Sequence, residues 1–197
     1  MNNVEKVAAG NGFTLILKTD NTLWVTGLNT YGQLWTGNTT QINTPVQVMT
    51  NVRDIAAGSA HSMVVKTNNT LWVTGHNDVG QLGTGDTIDR DTFEKVAELV
   101  SAISAGTNHT MILTNSDTLF ATGENSFGQL GDGSYDNKNT PVAVMNVISQ
   151  VSAGGTHTMS IQSGRNLMGT GYNYFVQLGV TLGLGIDQTY VFKTVVE

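Results

Sequence analysis

Three histidines are the first residues in this chain whose type and spacing could do chemistry. His61, His109 and His157 stand 48 residues apart. In a ring of repeats such equivalent side chains converge on one axis, where three imidazoles would supply most of a zinc shell. No carboxylate accompanies them, and Phe13 occupies the fourth equivalent position. The expectation is therefore a buried imidazole bonded to backbone beside an Ala-Gly turn, with no metal. The stretch "GDTIDRD" (Gly85–Asp91) gathers three aspartates, and its equivalent "GNTTQIN" has none. A calcium loop places ligands at alternate positions and ends on a distal glutamate. That spacing is missing, so a solvated loop is expected. "GTGYN" and "GLGI" are glycine-rich but lack the strand–loop–helix context and lysine of a phosphate loop. His76 is the only histidine outside the repeated series, and no Ser–His–Asp arrangement can be built around it. There is no cysteine, which removes disulfides, thiolate metal sites and cysteine nucleophiles. The reading is no enzyme, no catalytic residue and no cofactor.

The composition narrows the partners. Of 197 residues only 12% are charged, the formal net charge is −6, and Lys and Arg form no block. Binding nucleic acid through phosphates needs such a block, so none is expected. No apolar run approaches eighteen residues, and no membrane span is expected. The start "MNNVEKVAAGNG" has no basic segment leading into an apolar one, so no signal peptide is expected and the default location is the cytoplasm.

The elements that must position any site are repeats. Gly10, Gly58, Gly106 and Gly154 are 48 apart, as are Gly27, Gly75, Gly123 and Gly171, and Gln33, Gln81, Gln129 and Gln177. The register reads as unbroken, giving units 6–53, 54–101, 102–149 and 150–197 in one domain, 1–197. Segments such as "VEKVAAG", "FTLILKT", "TLWVTG" and "PVQVM" are short, rich in β-branched and aromatic residues, and bounded by turn formers, as strands are. Asp20-Asn21, Asn68-Asn69 and Ser116-Asp117 mark tight turns whose residues tolerate the left-handed region. "EKVAELVSAI" (Glu94–Ile103) could pass for a helix, but its equivalents favour strand. Four strands per unit point to an all-β fold of β-propeller blades rather than a solenoid with shorter rungs. Four repeats of 48 would either close as a four-bladed ring or form half of a dimeric eight-bladed one.

What all units keep must serve each unit. The glycines allow positive φ or close backbone approach. Asn29, Asn77, Asn125 and Asn173 are expected to close Asx-type turns. The glutamines are expected as partly buried amides that satisfy a long loop's backbone groups. Trp24, Trp72, Phe120 and Met168 read as packing between blades, not as a stacking platform.

The phrases "TGLNTYGQLWTG", "TGHNDVGQLGTG" and "TGENSFGQLGDG", followed by Pro45 or Pro141 and by "AAGSAHSMVV", resemble the regulator of chromosome condensation repeat family. The resemblance covers essentially the whole chain. It implies a propeller, commonly of seven blades, that works as an interaction platform; the founding member promotes nucleotide exchange on a small GTPase. The chain departs from the pattern at Trp35 (for Gly), Phe13 (for His), Phe93 and Thr189 (for Pro) and Val176 (for Gly).

Units differ at Leu28, His76, Glu124 and Tyr172 after the Thr-Gly, and again at Thr30-Tyr31, Asp78-Val79, Ser126-Phe127 and Tyr174-Phe175. Variable loops on a fixed scaffold are where function tends to sit. Leu28, Tyr31, Trp35, His76, Asp78, Glu124, Phe127, Tyr172, Tyr174 and Phe175 are the candidate contacts for a protein partner, on one propeller face. A small molecule in the central channel or at a subunit junction is the alternative. The apolar stretch Val180–Ile186 is a candidate for a subunit interface, to be probed by a charge at Leu184.

Overall fold

The computed structural model describes residues 1–180 and 188–195, and these form sixteen strands with no helix among them. Blade 1 contains β1 (Val4–Ala9), β2 (Phe13–Lys18), β3 (Leu23–Gly27) and β4 (Ile42–Met49). Blade 2 contains β5 (Val52–Ala57), β6 (His61–Lys66), β7 (Leu71–Gly75) and β8 (Arg90–Ala97). Blade 3 contains β9 (Val100–Ala105), β10 (His109–Thr114), β11 (Leu119–Gly123) and β12 (Lys138–Met145). Blade 4 contains β13 (Ile148–Ala153), β14 (His157–Gln162), β15 (Leu167–Tyr172) and β16 (Gln188–Thr194). In each blade the strands pair antiparallel in chain order. "EKVAELVSAI" falls in β8 and β9, as its equivalents argued.

Alternation in the strands decides what each blade buries. β2 buries Phe13, Leu15 and Leu17 on one face and leaves Thr14 and Ile16 half-buried on the other. β6 and β10 bury both faces because they lie between two blades. Leu15, Leu23 and Val25 meet Val52, Ile55 and Val64 in the first joint. Met63, Leu71 and Val73 meet Val100, Ile103 and Ile112 in the second. In the third, Met111, Leu113 and Leu119 meet Ile148. Ser160 stands there in the place of Val64 and Ile112, and its buried Oγ has no hydrogen-bond partner among the described residues. This joint thus forgoes the ~1.5–3 kcal/mol that burying an isoleucine-sized side chain contributes.

The 48-residue register is not kept to the end. Gly123 pairs with Lys138, but Gly171 pairs with Thr189, three residues further along. Phe192, not Thr189, lies over Gly131 as Pro141 lies over Gly83. The fourth unit therefore carries three extra residues between Leu178 and Gln188, and a phenyl ring replaces the expected proline. Apart from Val180, the stretch Val180–Ile186 lies outside the described residues.

The tight turns are left-handed as the sequence requires: φ is 61° at Asn21, 63° at Asn69 and 58° at Asp117. The blade-to-blade turns adopt the same region at Asn3 and Asn51, but Leu99 (φ 55°) and Val147 (φ 64°) fill the equivalent positions. Both are exposed, so no packing offsets the Cβ clash. That clash costs about 1–2 kcal/mol for an ordinary side chain and less for Asn. Leu99→Asn and Val147→Asn should each raise Tm by roughly 2–4 °C for a chain of this size. A calorimetric scan showing no rise for the double variant would refute this account of the turns.

Candidate functional site

The loop after the third strand of each blade is held by the two amides that the repeats keep. Asn125 is fully buried. Its Oδ1 accepts from Leu130 N at 3.0 Å, and its Nδ2 reaches Asp132 Oδ1 at 3.0 Å, Ser134 O at 3.0 Å and Asp136 O at 3.1 Å. Asn29 and Asn77 make the same set. The amide is the hub of the whole loop, not the closure of a short Asx turn, because the acceptor's partner lies five residues on. The glutamines are wholly rather than partly buried in blades 1 to 3. Gln33, Gln81 and Gln129 each accept through Oε1 from the N–H two residues earlier, at Tyr31, Val79 and Phe127. Gln177 does the same for Phe175. The scaffold amide thus fixes the variable residue's main chain directly.

All four loops leave the same end of the third strand, so they emerge on one face. There they meet in pairs. Tyr31 of blade 1 packs at a tilt against His76 of blade 2, with ring centroids 4.1 Å apart. Phe127 of blade 3 meets Tyr172 of blade 4 at 5.0 Å, and Tyr174 and Phe175 follow, 5.0 Å from each other. Tyr174 is 60% exposed and Phe175 76% exposed. Leu28 and Asp78 are exposed on this face too. Glu124 is held by Ser126 Oγ at 2.8 Å and Asn108 Nδ2 at 3.3 Å.

Trp35 does not join them. It is 5% exposed and packs on Phe93 of the next blade, centroids 4.5 Å apart. The two departures from the family pattern, Trp for Gly and Phe for Pro, therefore answer each other across one joint. Val176 was not among the expected contacts, yet it is 64% exposed beside Phe175 and left-handed at φ 61°. The substitution for glycine was the signal: an exposed β-branched residue in that region is strained.

His61 and His109 lie in joints between blades, and His157 holds the equivalent place on the outer side of blade 4, half-buried over Gly154. His61 Nε2 is 3.1 Å from Thr110 Oγ1, and His109 Nε2 is 3.0 Å from Thr158 Oγ1. Each hydroxyl donates to a backbone carbonyl, Gln81 O or Gln129 O, so Nε2 carries the proton, and the buried Nδ1, which has no hydrogen-bond partner among the described residues, carries none. The partner is a side chain of the next blade, not the expected backbone. Burial above all pushes the His61 imidazole down to about 4 and the His109 imidazole down to about 3, with neighbouring histidines adding to the effect. Each ring lies over a glycine: a Cβ at Gly58 or Gly106 would come 2.1 Å from its Cε1. In the "GDTIDRD" loop, Asp86 accepts from Ile88 N and pairs with Arg90 at 2.8 Å, while Asp89 accepts from Asn77 N. Those carboxylates serve the loop itself. Among the described residues no three His, Asp or Glu groups lie close enough to share a metal ion. Around the axis, a depression of about 370 Å³ is lined by Ala57-Gly58-Ser59 and its counterparts. No helix among the described residues is long and apolar enough to cross a membrane.

The repeat itself is recognised by sequence. Profiles of the Regulator of chromosome condensation (RCC1) repeat match residues 4–33, 52–81 and 100–129, and a second set matches 20–65 and 116–161. The chain belongs to the RCC1 repeat family. Solved RCC1-type structures share its fold. Yeast RCC1 (Prp20) in complex with Kap60 superposes with a TM-score of 0.86 at 21% identity, over 98% of this chain and 49% of that one. Prp20p from Saccharomyces cerevisiae, reported with its binding to Gsp1p and histones, gives 0.85 at 21%, over 98% and 50%. Human WBSCR16 gives 0.83 at 23%, over 98% and 55%. The chain thus spans about half the length of these RCC1-type structures. No curated protein sequence matches it.

Proposed function

We propose that the chain is a non-enzymatic binding module that holds a partner protein against its loop face. The observation that carries this reading is the aromatic group at blades 3 and 4, where Phe127 and Tyr172 form a base and Tyr174 and Phe175 stand out from it. Large aromatic anchors on a rigid support are the usual hot spots of protein interfaces. Here the support is the Gln129 and Gln177 amides, which fix the loops from beneath. RCC1-type relatives of the same fold are described with protein partners, Kap60, Gsp1p and histones. That likeness supports a protein ligand as a class and names none for this chain. The axial depression is lined by small side chains and main chain and presents no aromatic or large apolar side chain against which a small ligand could pack.

The test is quantitative capture by the immobilised chain against the Tyr174→Ser, Phe175→Ser double variant. Both side chains are exposed, so the unfolding temperature should not move. At least one protein should be retained at least tenfold less by the variant, as expected for two anchors. Identical retention by both, with the fold intact, would rule out this patch.

A further inference from the structure

The loop contacts step from blade to blade, and the middle one differs from its neighbours. Tyr31 packs on His76 across the first joint, and Phe127 on Tyr172 across the third. The same step takes Val79 to Glu124 across the second. A carboxylate thus stands where the contacts on either side place an imidazole and a phenol. Asp78 adjoins Val79, so two carboxylates belong to the contact that lies between two aromatic ones. Both are oriented but not neutralised. Asp78 Oδ1 accepts from Gln81 Nε2 at 3.2 Å, and the side chain is 58% exposed. Glu124 Oε1 accepts from Ser126 Oγ at 2.8 Å, and Oε2 from Asn108 Nδ2 at 3.3 Å. Among the described residues no lysine or arginine pairs with either; the ion-pair contact of Asp78 is with His76, Nδ1 to Oδ1 3.4 Å.

The excess negative charge is gathered on the same face. Among the described residues, the loops and the strand starts that follow them, 28–41, 76–91, 124–138 and 172–180, carry seven carboxylates and two cations. Those two cations are already engaged, Arg90 with Asp86 at 2.8 Å and Lys138 with Asp132 at 3.2 Å. The rest of the described chain holds seven cations and six carboxylates, so the opposite end and the flanks of the blades are close to neutral. A face of one sign draws in a partner of the other and selects against partners of its own.

Carboxylates set between aromatic rings fit one side chain best. A guanidinium presents a planar fork of donors to a carboxylate, stacks on an aromatic face, and gives up its water more readily than an ammonium does. We propose that the partner held on the loop face is a basic protein segment, and that an arginine of that segment seats at Asp78 and Glu124, flanked by the Tyr31–His76 and Phe127–Tyr172 contacts. This rests on the loop-face reading and names the chemistry of its partner. Tyr174 and Phe175 are then the apolar end of a surface whose middle is anionic.

The experiment is fluorescence anisotropy with short labelled peptide probes in which serine alternates with arginine, lysine or glutamate. The parent should bind the arginine probe, bind the lysine probe roughly threefold or more less tightly, and ignore the glutamate probe. Added salt should weaken the binding. Asp78→Asn, Glu124→Gln keeps the oxygens that Gln81 and Ser126 bond, and it should weaken the arginine probe by roughly fivefold or more. Asp20→Asn, Asp117→Asn removes the same charge from the opposite end, using the residues that blade 2 has there, Asn68 and Asn69. That variant should stay within about twofold of the parent. The proposal is overturned by an arginine probe that does not bind, by a lysine probe that binds equally, by unchanged binding to Asp78→Asn, Glu124→Gln, or by an equal loss in Asp20→Asn, Asp117→Asn. Each of those results leaves the loop-face reading standing, because that reading falls only if protein capture ignores Tyr174 and Phe175.

Discussion

Asn125→Ala should cost on the order of 3 kcal/mol of folding stability, read as a drop in Tm of roughly 6–12 °C for a chain of this size. The side chain is fully buried and serves Leu130 N, Ser134 O and Asp136 O at once. Alanine would leave the buried Leu130 N–H unsatisfied, with the desolvation penalty that carries, and would remove the bonds to two part-buried carbonyls that tie the loop together. Asn125→Asp keeps the acceptor for Leu130 N but turns a carboxylate toward two carbonyls and Asp132. It should therefore do no better than alanine. A melting temperature within 2 °C of the parent for either variant would show that the loop holds itself. Because Gln129 and Asn125 clamp the same loop, Asn125→Ala should also loosen Phe127 and blunt any binding at the aromatic group.

Acid should unfold this chain earlier than its carboxylates alone would. His61 and His109 are pushed down from 6.5 to about 4 and about 3, so between those values and 6.5 the unfolded chain binds protons that the folded chain refuses. A histidine depressed in this way contributes its full stability above about pH 6.5 and loses it as pH falls toward the folded value. Each histidine should lower the unfolding free energy by about 1.4 kcal/mol per pH unit once well below 6.5. Asp20, Asp86, Glu98 and Asp132 are also lowered, by hydrogen bonds and by the neighbouring cations Lys18, Arg90, Lys95 and Lys138 respectively. Their contribution is lost only below about pH 4.5, where the unfolded carboxylates protonate. The window from pH 6.5 to 5 therefore belongs to the histidines. Urea midpoints measured across it should fall steadily for the parent and fall much less for His61→Phe, His109→Phe, in which His157, lowered by partial burial, is the remaining depressed imidazole. Phe13 already lies over Gly10 as the imidazoles lie over Gly58 and Gly106, so the ring shape fits. A flat profile for the parent would overturn the assignment.

The architecture could be read from the chain because every blade needs the same few residues. Glycines under a ring, a buried Asn and a buried Gln recur wherever a blade must be built, and recurrence makes them visible. What could not be read depends on partners in another unit. Trp35 looked like a surface anchor because nothing local shows that Phe93, 58 residues on, would cover it. The histidines' partner was misjudged for the same reason: it is a hydroxyl one blade away. The three extra residues of the fourth unit were hidden because its close is too worn to align, and only the pairing of Gly171 with Thr189 reveals them. Leu99 and Val147 occupy turns that no propensity would assign to them. Of the candidate site, the loop positions were legible only as variation on a fixed frame. Their pairing across neighbouring blades, Tyr31 on His76 and Phe127 on Tyr172, follows from the closeness of the loops in space.

Ser160 has a consequence for how the array comes apart. Units that touch only their neighbours unfold as a line of coupled elements, and the line breaks where coupling is weakest. The third joint holds a buried hydroxyl without a partner among the described residues, where the first two hold Val64 and Ile112. Blade 4 therefore leaves first, as a unit of its own, while blades 1 to 3 still share two intact seams. The aromatic group straddles that weak seam, with Phe127 on one side and Tyr172, Tyr174 and Phe175 on the other. A ligand gripping both sides would rivet the softest hinge of the array, so occupancy of the loop face and cooperativity of the whole chain are one equilibrium.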